Sequence, residues 1–245
     1  MQNFLGAGFI RNCLLLVSVL SIKCFADSPQ LQVVTELSPP YQTLINNEVS
    51  GSATTVVKSI LSASKVSASF NLYPWARAYH KAITEPNTLI YSIANTAERD
   101  ELFHWLLPVV EYKFGLVALN TNQTAMKITQ LKQVSNFVLA VQRNDIAHKW
   151  ALNYGLEEGN QLIVCSDIGC SWRLLLNKKV DFIVESPELI ESMLMQYDLP
   201  ITSANYTLAI PELELSGYLA ANKNIEPAIL EKLRLTIKNG FFTPQ

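Results

Sequence analysis

The chain has 245 residues, of which 49% are hydrophobic and 16% charged. That composition excludes a disordered protein, which is poorer in apolar residues, and a polytopic membrane protein, which is richer in them. Nineteen Lys and Arg against twenty-one Asp and Glu give a formal net charge of -2, so there is no electrostatic basis for binding nucleic acid or an anionic membrane surface.

Nine glycines are present, and no GxGxxG, GxxxxGK[ST] or GxSxG occurs. Dinucleotide-binding, P-loop and hydrolase readings therefore start without a motif. Near the N-terminus, Arg11 precedes a ten-residue apolar run, Cys13 to Ile22. A bilayer span needs about twenty residues. Cys24-Phe25-Ala26 then offers small residues at both positions that a signal peptidase reads. Residues 1–26 are expected to be a signal peptide cleaved after Ala26, which implies a periplasmic location. An uncleaved anchor and a lipoprotein site at Cys24 are the alternatives, and Lys23 argues against the second. Loss of Arg11 and Lys23 would leave seventeen basic against twenty-one acidic residues, a net charge of -4.

Cys165 and Cys170 are then the remaining cysteines. An even pair in an exported chain points to a disulfide closing a small loop. Two free buried thiols are the alternative. A metal site lacks a second ligand pair, since His148 is seventeen residues from Cys165.

After the signal the pattern alternates. Leu31 to Glu36 reads as a strand, and Ser38-Pro39-Pro40 as a turn. Val56, Val57, Ile60 and Leu61 have helical spacing, whereas Val66, Ala68, Phe70 and Leu72 alternate as a strand does. Pro74 stands where prolines open helices, and Trp75, Ala78, Tyr79, Ala82 and Ile83 share one face of the helix that follows. Thr88 to Ile93 is a buried strand. This β-α-β-α-β order predicts a parallel sheet covered by helices.

A second run of the same kind follows. Asn136 to Val141 is an expected strand, and Asp145 an N-cap for a helix from Ile146 to Tyr154 that Gly155 ends. Gln161 to Cys165 is a strand, Ile168, Trp172, Leu175 and Leu176 line a helix, and Val180 to Val184 is a strand. Leu213 to Ala221 is strand-like, and Glu226 to Asn239 forms an amphipathic helix stopped by Gly240. With no linker between them, two α/β units predict two lobes in intimate contact. A ligand is expected in the cleft between them, beyond the carboxyl ends of the strands.

Several segments together resemble a known family. They are Val33-Val34-Thr35-Glu36 with Pro39-Pro40-Tyr41, Tyr73-Pro74-Trp75-Ala76-Arg77, Ser92 through Pro108, and Val180 through Ser186. In this order and spacing the chain resembles the periplasmic solute-binding proteins of family 3, the polar amino-acid receptors of ABC importers. The resemblance implies an α/β, two-lobed type II fold: two sheets flanked by helices, joined by a hinge of two crossover strands. It implies a first lobe of residues 27–113 with a return segment 209–245, and a second lobe of 114–208. The crossovers are expected near Glu111–Leu116 and Thr207–Pro211. It also implies a monomer with a small-molecule ligand, an ABC permease or a membrane sensor as partner, and no cofactor or metal.

The same resemblance selects the candidate ligand residues. Arg99 matches the arginine that forks onto the ligand carboxylate, a geometry that guanidinium allows. Backbone groups of Ser92 and Ala94 complete that cradle. Across the cleft, Asn144 and Asp145 occupy the family's second-lobe turn, where helix-terminal amides bind carboxylate oxygens; a plain helix cap is the alternative for Asp145. Glu185 matches the acid that captures the ligand ammonium, one residue early, so Ser186 is the other candidate. Trp75 and Tyr41 are candidate pocket walls, and Arg77 points either to an anionic ligand or to solvent. Asp181 is read as structural, and His80, His104 and His148 as structure or surface.

Ala94 stands where a Thr or Ser hydroxyl is common, Ala97 replaces a proline and Arg143 a glycine. The missing hydroxyl costs the cradle one hydrogen bond, about 1 kcal/mol. The function implied is binding of a small carboxylate-bearing solute, an amino acid, by lobe closure. The competing class is an exported enzyme resembling cyclohexadienyl dehydratases, whose chemistry needs a proton donor near the leaving hydroxyl; Glu185 or Asp145 would have to serve. A receptor that signals to a membrane sensor is the third reading.

Overall fold

The computed structural model describes residues 31–240; the expected signal peptide, residues 1–26, lies outside the described residues. The first run comprises β1 (Leu31–Thr35), the hairpin β2 (Thr43–Ile45) and β3 (Glu48–Ser50), α1 (Ser52–Ala63), β4 (Ala68–Leu72), α2 (Trp75–Thr84) and β5 (Thr88–Ala94). A long strand, β6 (Phe103–Leu119), leads away from it. The second run comprises β7 (Leu139–Gln142), α3 (Ile146–Asn153), β8 (Leu162–Cys165), α4 (Ile168–Leu176), β9 (Phe182–Glu185) and α5 (Pro187–Gln196). Another long strand, β10 (Ala204–Asn222), returns to the first run, and α6 (Pro227–Asn239) ends the described chain.

The sheet order is β4-β1-β5-β10-β6-β9-β7-β8. β1 pairs in parallel with β4 and β5, and β7 with β8 and β9. β6 and β10 run antiparallel to one another and to their outer neighbours. The two sheets anticipated from sequence are thus continuous through the long central pair.

Alternation along the strands builds the layers. In β1, Val33 joins Val57 and Ile60 of α1, whereas Val34 packs with Trp75, Ala78 and Ala82 of α2 on the opposite face. In β7, Leu139 and Val141 face Ala147, Trp150 and Ala151 of α3, while Ala140 faces Trp172 and Leu175 of α4. Central parallel strands are buried on both faces and read as continuous apolar runs for this reason.

Several boundaries differ from expectation. The strand predicted from Asn136 begins only at Leu139, because residues 131–136 form a 3-10 helix closed by a reciprocal Gln130–Gln133 cap. The strand predicted from Val180 begins at Phe182. Asp181 serves as structure: its carboxylate accepts from Asn122 Nδ2 at 2.8 Å and from the Val138 N–H at 2.9 Å. The β2–β3 hairpin and α5 were not anticipated. Among the described residues no helix is long and apolar enough to cross a membrane.

The central pair changes register at four places, and the widest change lies between Ala209 and Glu214. Ala209 pairs with Gly115 and Glu214 with Lys113, so residues 210–213 lie opposite Phe114 alone. This break falls slightly beyond the predicted second crossover at Thr207–Pro211. Gly115 sits beside it, where a Cβ would come within 2.4 Å of the Tyr206 ring and 2.5 Å of the Leu208 carbonyl oxygen. The Tyr206 hydroxyl donates to the Lys113 carbonyl at 3.1 Å, which holds the ring in place. Gly115→Ala is expected to cost about 1–3 kcal/mol, the usual range for overpacking. Thermal unfolding should show a Tm lower by roughly 2–4 °C for each of those kcal/mol.

Candidate ligand-binding site

A cavity of about 50 Å³ lies where the two halves meet. It is enclosed by the carboxyl ends of the parallel strands: Glu36 after β1, Ser92 and Ala94 of β5, Gln142 of β7 and Glu185 of β9. Trp75, Arg99, Tyr112, Phe114, Asp145 and Ile168 also line it.

Arg99 reaches this cavity from the turn after β5 and is only 7% exposed. The turn is set by the Arg99 N–H donating to the Thr96 carbonyl at 2.8 Å. Its guanidinium lies 5.1 Å from the ring centroids of both Trp75 and Tyr79. One amino group donates to the Ala94 carbonyl and the other to the Asn144 carbonyl, each at 3.3 Å. Burial lowers its pKa, with Tyr79, Asp145 and Glu36 opposing that shift. Facing aromatic rings and carbonyls recover part of the hydration that a buried guanidinium loses.

Three carboxyl groups share the cavity with this one cation. Burial, then repulsion from Asp145, pushes Glu36 up to about 8, against the Gln142 amide and Arg99. Burial pushes Asp145 up to about 7, although the His148 N–H and Arg99 oppose it. Burial, reinforced by Glu36 and Asp145, holds Glu185 well above the usual carboxylate range. Glu36 Oε2 and Gln142 Oε1 are buried with no hydrogen-bond partner among the described residues. Buried polar atoms without partners are costly, so this part of the cavity wall keeps unused hydrogen-bonding capacity.

The expected residues divide into two sets. Arg99, Ser92, Ala94, Trp75, Asp145 and Glu185 all line the cavity. Asp145 does two things at once, since its carboxylate also accepts from the His148 N–H at 2.6 Å as the N-cap of α3. Ser92 has a left-handed φ of 62°. Between the two second-lobe candidates, Glu185 lines the cavity, whereas Ser186 is fully buried and bonds Glu188.

Three candidates lie elsewhere. Tyr41 is buried in the core, edge-on to Tyr112 at 5.5 Å, and Tyr112 is the ring that lines the cavity. Arg77 is exposed and stacks over Tyr73 at 4.5 Å, because its position on α2 faces solvent. Asn144 is exposed and lines an outer groove of about 680 Å³. Its N–H donates to His148 Nδ1 at 3.2 Å, and the Asp145 N–H to the Gln142 carbonyl at 3.3 Å. The amides expected to bind a carboxylate at this turn are therefore engaged within the chain.

Sequence reasoning missed Glu36 and Gln142. The available signal was positional: each is a polar residue at the carboxyl end of an apolar parallel strand, where ligands of such sheets bind. Cys165 and Cys170 form a disulfide with a Cα separation of 5.6 Å. It staples the end of β8 to the first turn of α4, beside Ile168 in the cavity wall.

The Glu36 shift has a definite sign in stability. Between 4.5, the ordinary value, and about 8 the folded chain holds a proton that the unfolded chain has released. This contribution to stability is therefore lost as pH rises through that window. Glu36→Gln should match the parent near about pH 5 and exceed its stability near about pH 8.5. Urea unfolding of both proteins at the two pH values checks this, and equal gaps would refute it.

No protein-family description and no curated protein matches the sequence. Solved structures do. A histidine kinase sensor domain with similarity to periplasmic binding proteins superposes with a TM-score of 0.72 at 14% identity, over 86% of this chain and 89% of that one. An ancestral arginine-binding protein bound to arginine gives 0.70 at 17% identity, over 85% and 91%. The GluR0 ligand-binding core from Nostoc punctiforme, in complex with L-glutamate, gives 0.66 at 19% identity, over 85% and 92%. With its central sheet flanked by helices and its cavity between two halves, the chain has the two-lobed fold of the periplasmic binding proteins.

Proposed function

We propose that this protein captures an amino acid with a cationic side chain in the periplasm, by closing two lobes over it, and delivers it to an ABC importer. The observation that carries this reading is one buried guanidinium lining a single cavity with three acids, Glu185 buried and Glu36 and Asp145 half-buried. An α-amino acid needs one cation for its carboxylate and one acid for its ammonium. The remaining acids and the unpartnered Glu36 oxygen then favour a second positive group on the ligand.

In this reading Arg99 binds the ligand carboxylate, with Ser92 and Ala94 beside it. Glu185 and Asp145 take the α-ammonium, and Glu36 with Gln142 takes the side-chain cation. Trp75, Tyr112 and Phe114 form the apolar walls. The likeness to an arginine-binding protein supports the ligand class. The first lobe is assigned residues 27–113 and 209–245, and the second 114–208, which agrees with the strand-pairing change beside Gly115.

An engineered cavity of about 150 Å³ admits benzene, so one of about 50 Å³ is too small for an amino acid. Entry therefore requires the lobes to part, and the closed form around the ligand is what a membrane partner would read. A receptor serving a membrane sensor is the second reading, favoured by the likeness to a histidine kinase sensor domain. Both readings use the same closure; loss of labelled-ligand uptake on deletion would assign transport.

A thermal-shift screen of the amino acids is expected to show stabilisation by arginine or lysine, and Arg99→Ala should abolish it. A variant that keeps the parent's shift would remove Arg99 from the site. The cationic ligand must ionise Glu36, so its affinity should rise as pH increases through about 8. Titration calorimetry in two buffers of different ionisation enthalpy should detect the released protons.

A further inference from the structure

The turn between β7 and α3 makes two sets of contacts in opposite directions. Asn144 has a left-handed φ of 61°. Its carbonyl points at the other lobe, accepting from Trp75 Nε1 at 2.9 Å and from Arg99 Nη2 at 3.3 Å. Its N–H donates to His148 Nδ1 at 3.2 Å. The opposite ring nitrogen, Nε2, lies 3.0 Å from Glu158 Oε1. A carboxylate oxygen accepts, so Nε2 carries the hydrogen and Nδ1 keeps its lone pair for Asn144.

His148 is 8% exposed and holds both residues of the turn, since its backbone N–H binds the Asp145 carboxylate. The next residue on α3, Lys149, forms an ion pair with Glu98 of the other lobe. The exposed Lys149–Glu98 pair contributes little by itself. The Asn144 carbonyl is different, because both of its donors come from buried side chains.

We propose that His148 is a positioning residue for an interlobe latch: its ring holds the Asn144 N–H and its backbone N–H holds Asp145, and fixing the turn on both sides of the Asn144 carbonyl lets that carbonyl clasp Trp75 and Arg99 and favours the closed arrangement. The latch spans residues on α2 and the turn after β5 on one side and the β7–α3 turn on the other. It is independent of the chemistry of any ligand, so it can be tested without one.

Small-angle X-ray scattering of the purified chain in plain buffer reads the closed-to-open population. His148→Asn places an acceptor oxygen where Nδ1 stands and should scatter like the parent. His148→Gln reaches Glu158 from the Nε2 position but leaves Asn144 without its acceptor, and should shift to a larger radius of gyration. Trp75→Phe keeps an aromatic ring and deletes one donor to the latch, so it should shift in the same direction. If the Asn and Gln variants behave alike, the positioning role is overturned. Parent-like scattering from Trp75→Phe overturns the latch itself. Neither result bears on which solute binds.

Discussion

Placing one guanidinium and three carboxyl groups in a shared, narrow crevice is the constraint around which the rest of the structure is arranged. Charges leave water only at high cost, and their attraction repays it only with good geometry. Arg99 meets that demand with two aromatic faces and two backbone carbonyls. The carboxyls meet it differently, by holding protons near neutral pH, with Glu36 at about 8 and Asp145 at about 7. The wall is therefore poised: a cation entering it would replace protons instead of meeting a fixed set of charges.

The fold supplies this arrangement because parallel strands end together. Glu36, Ser92, Gln142 and Glu185 come from four strands in two separate runs of sequence; the two sets run in opposite directions, so their carboxyl ends face each other where the halves meet. The helices that cover the strands contribute the remaining groups by their first turns: Trp75 opens α2, Asp145 caps α3 and Ile168 opens α4. Such ends are free of the packing that fixes strand interiors, so they can vary in chemistry without disturbing the layers.

Much of this was legible in the residues, and the misses have physical causes. β1 and β5 followed from the strand-like segments Leu31–Glu36 and Thr88–Ile93, β4 from the alternation of Val66, Ala68, Phe70 and Leu72, and α2 from the spacing of Trp75, Ala78 and Ala82. The α3 start was legible because Asp145 is a strong cap. Tyr41 and Arg77 were misplaced because sequence proximity to cavity residues does not say which way a side chain points. Tyr112, seventy-one residues from Tyr41, takes the wall position. Glu36 was overlooked because burial of an acid depends on partners from distant strands, which periodicity does not record. The β7 start was misjudged because a local 3-10 turn capped by Gln130 and Gln133 competes with strand geometry there.

The unequal lengths of the two connecting strands have a mechanical consequence. Between the last pair on one side and the first on the other, β6 contributes Phe114 alone while β10 contributes residues 210–213. Three surplus residues at about 3.3 Å each amount to roughly 10 Å of additional strand. Ile210 and Leu213 are buried in the core beside β6 and anchor this bulged part of the strand. Any parting of the two halves would have to disturb that packing first, so these two apolar side chains would set the stiffness of the joint.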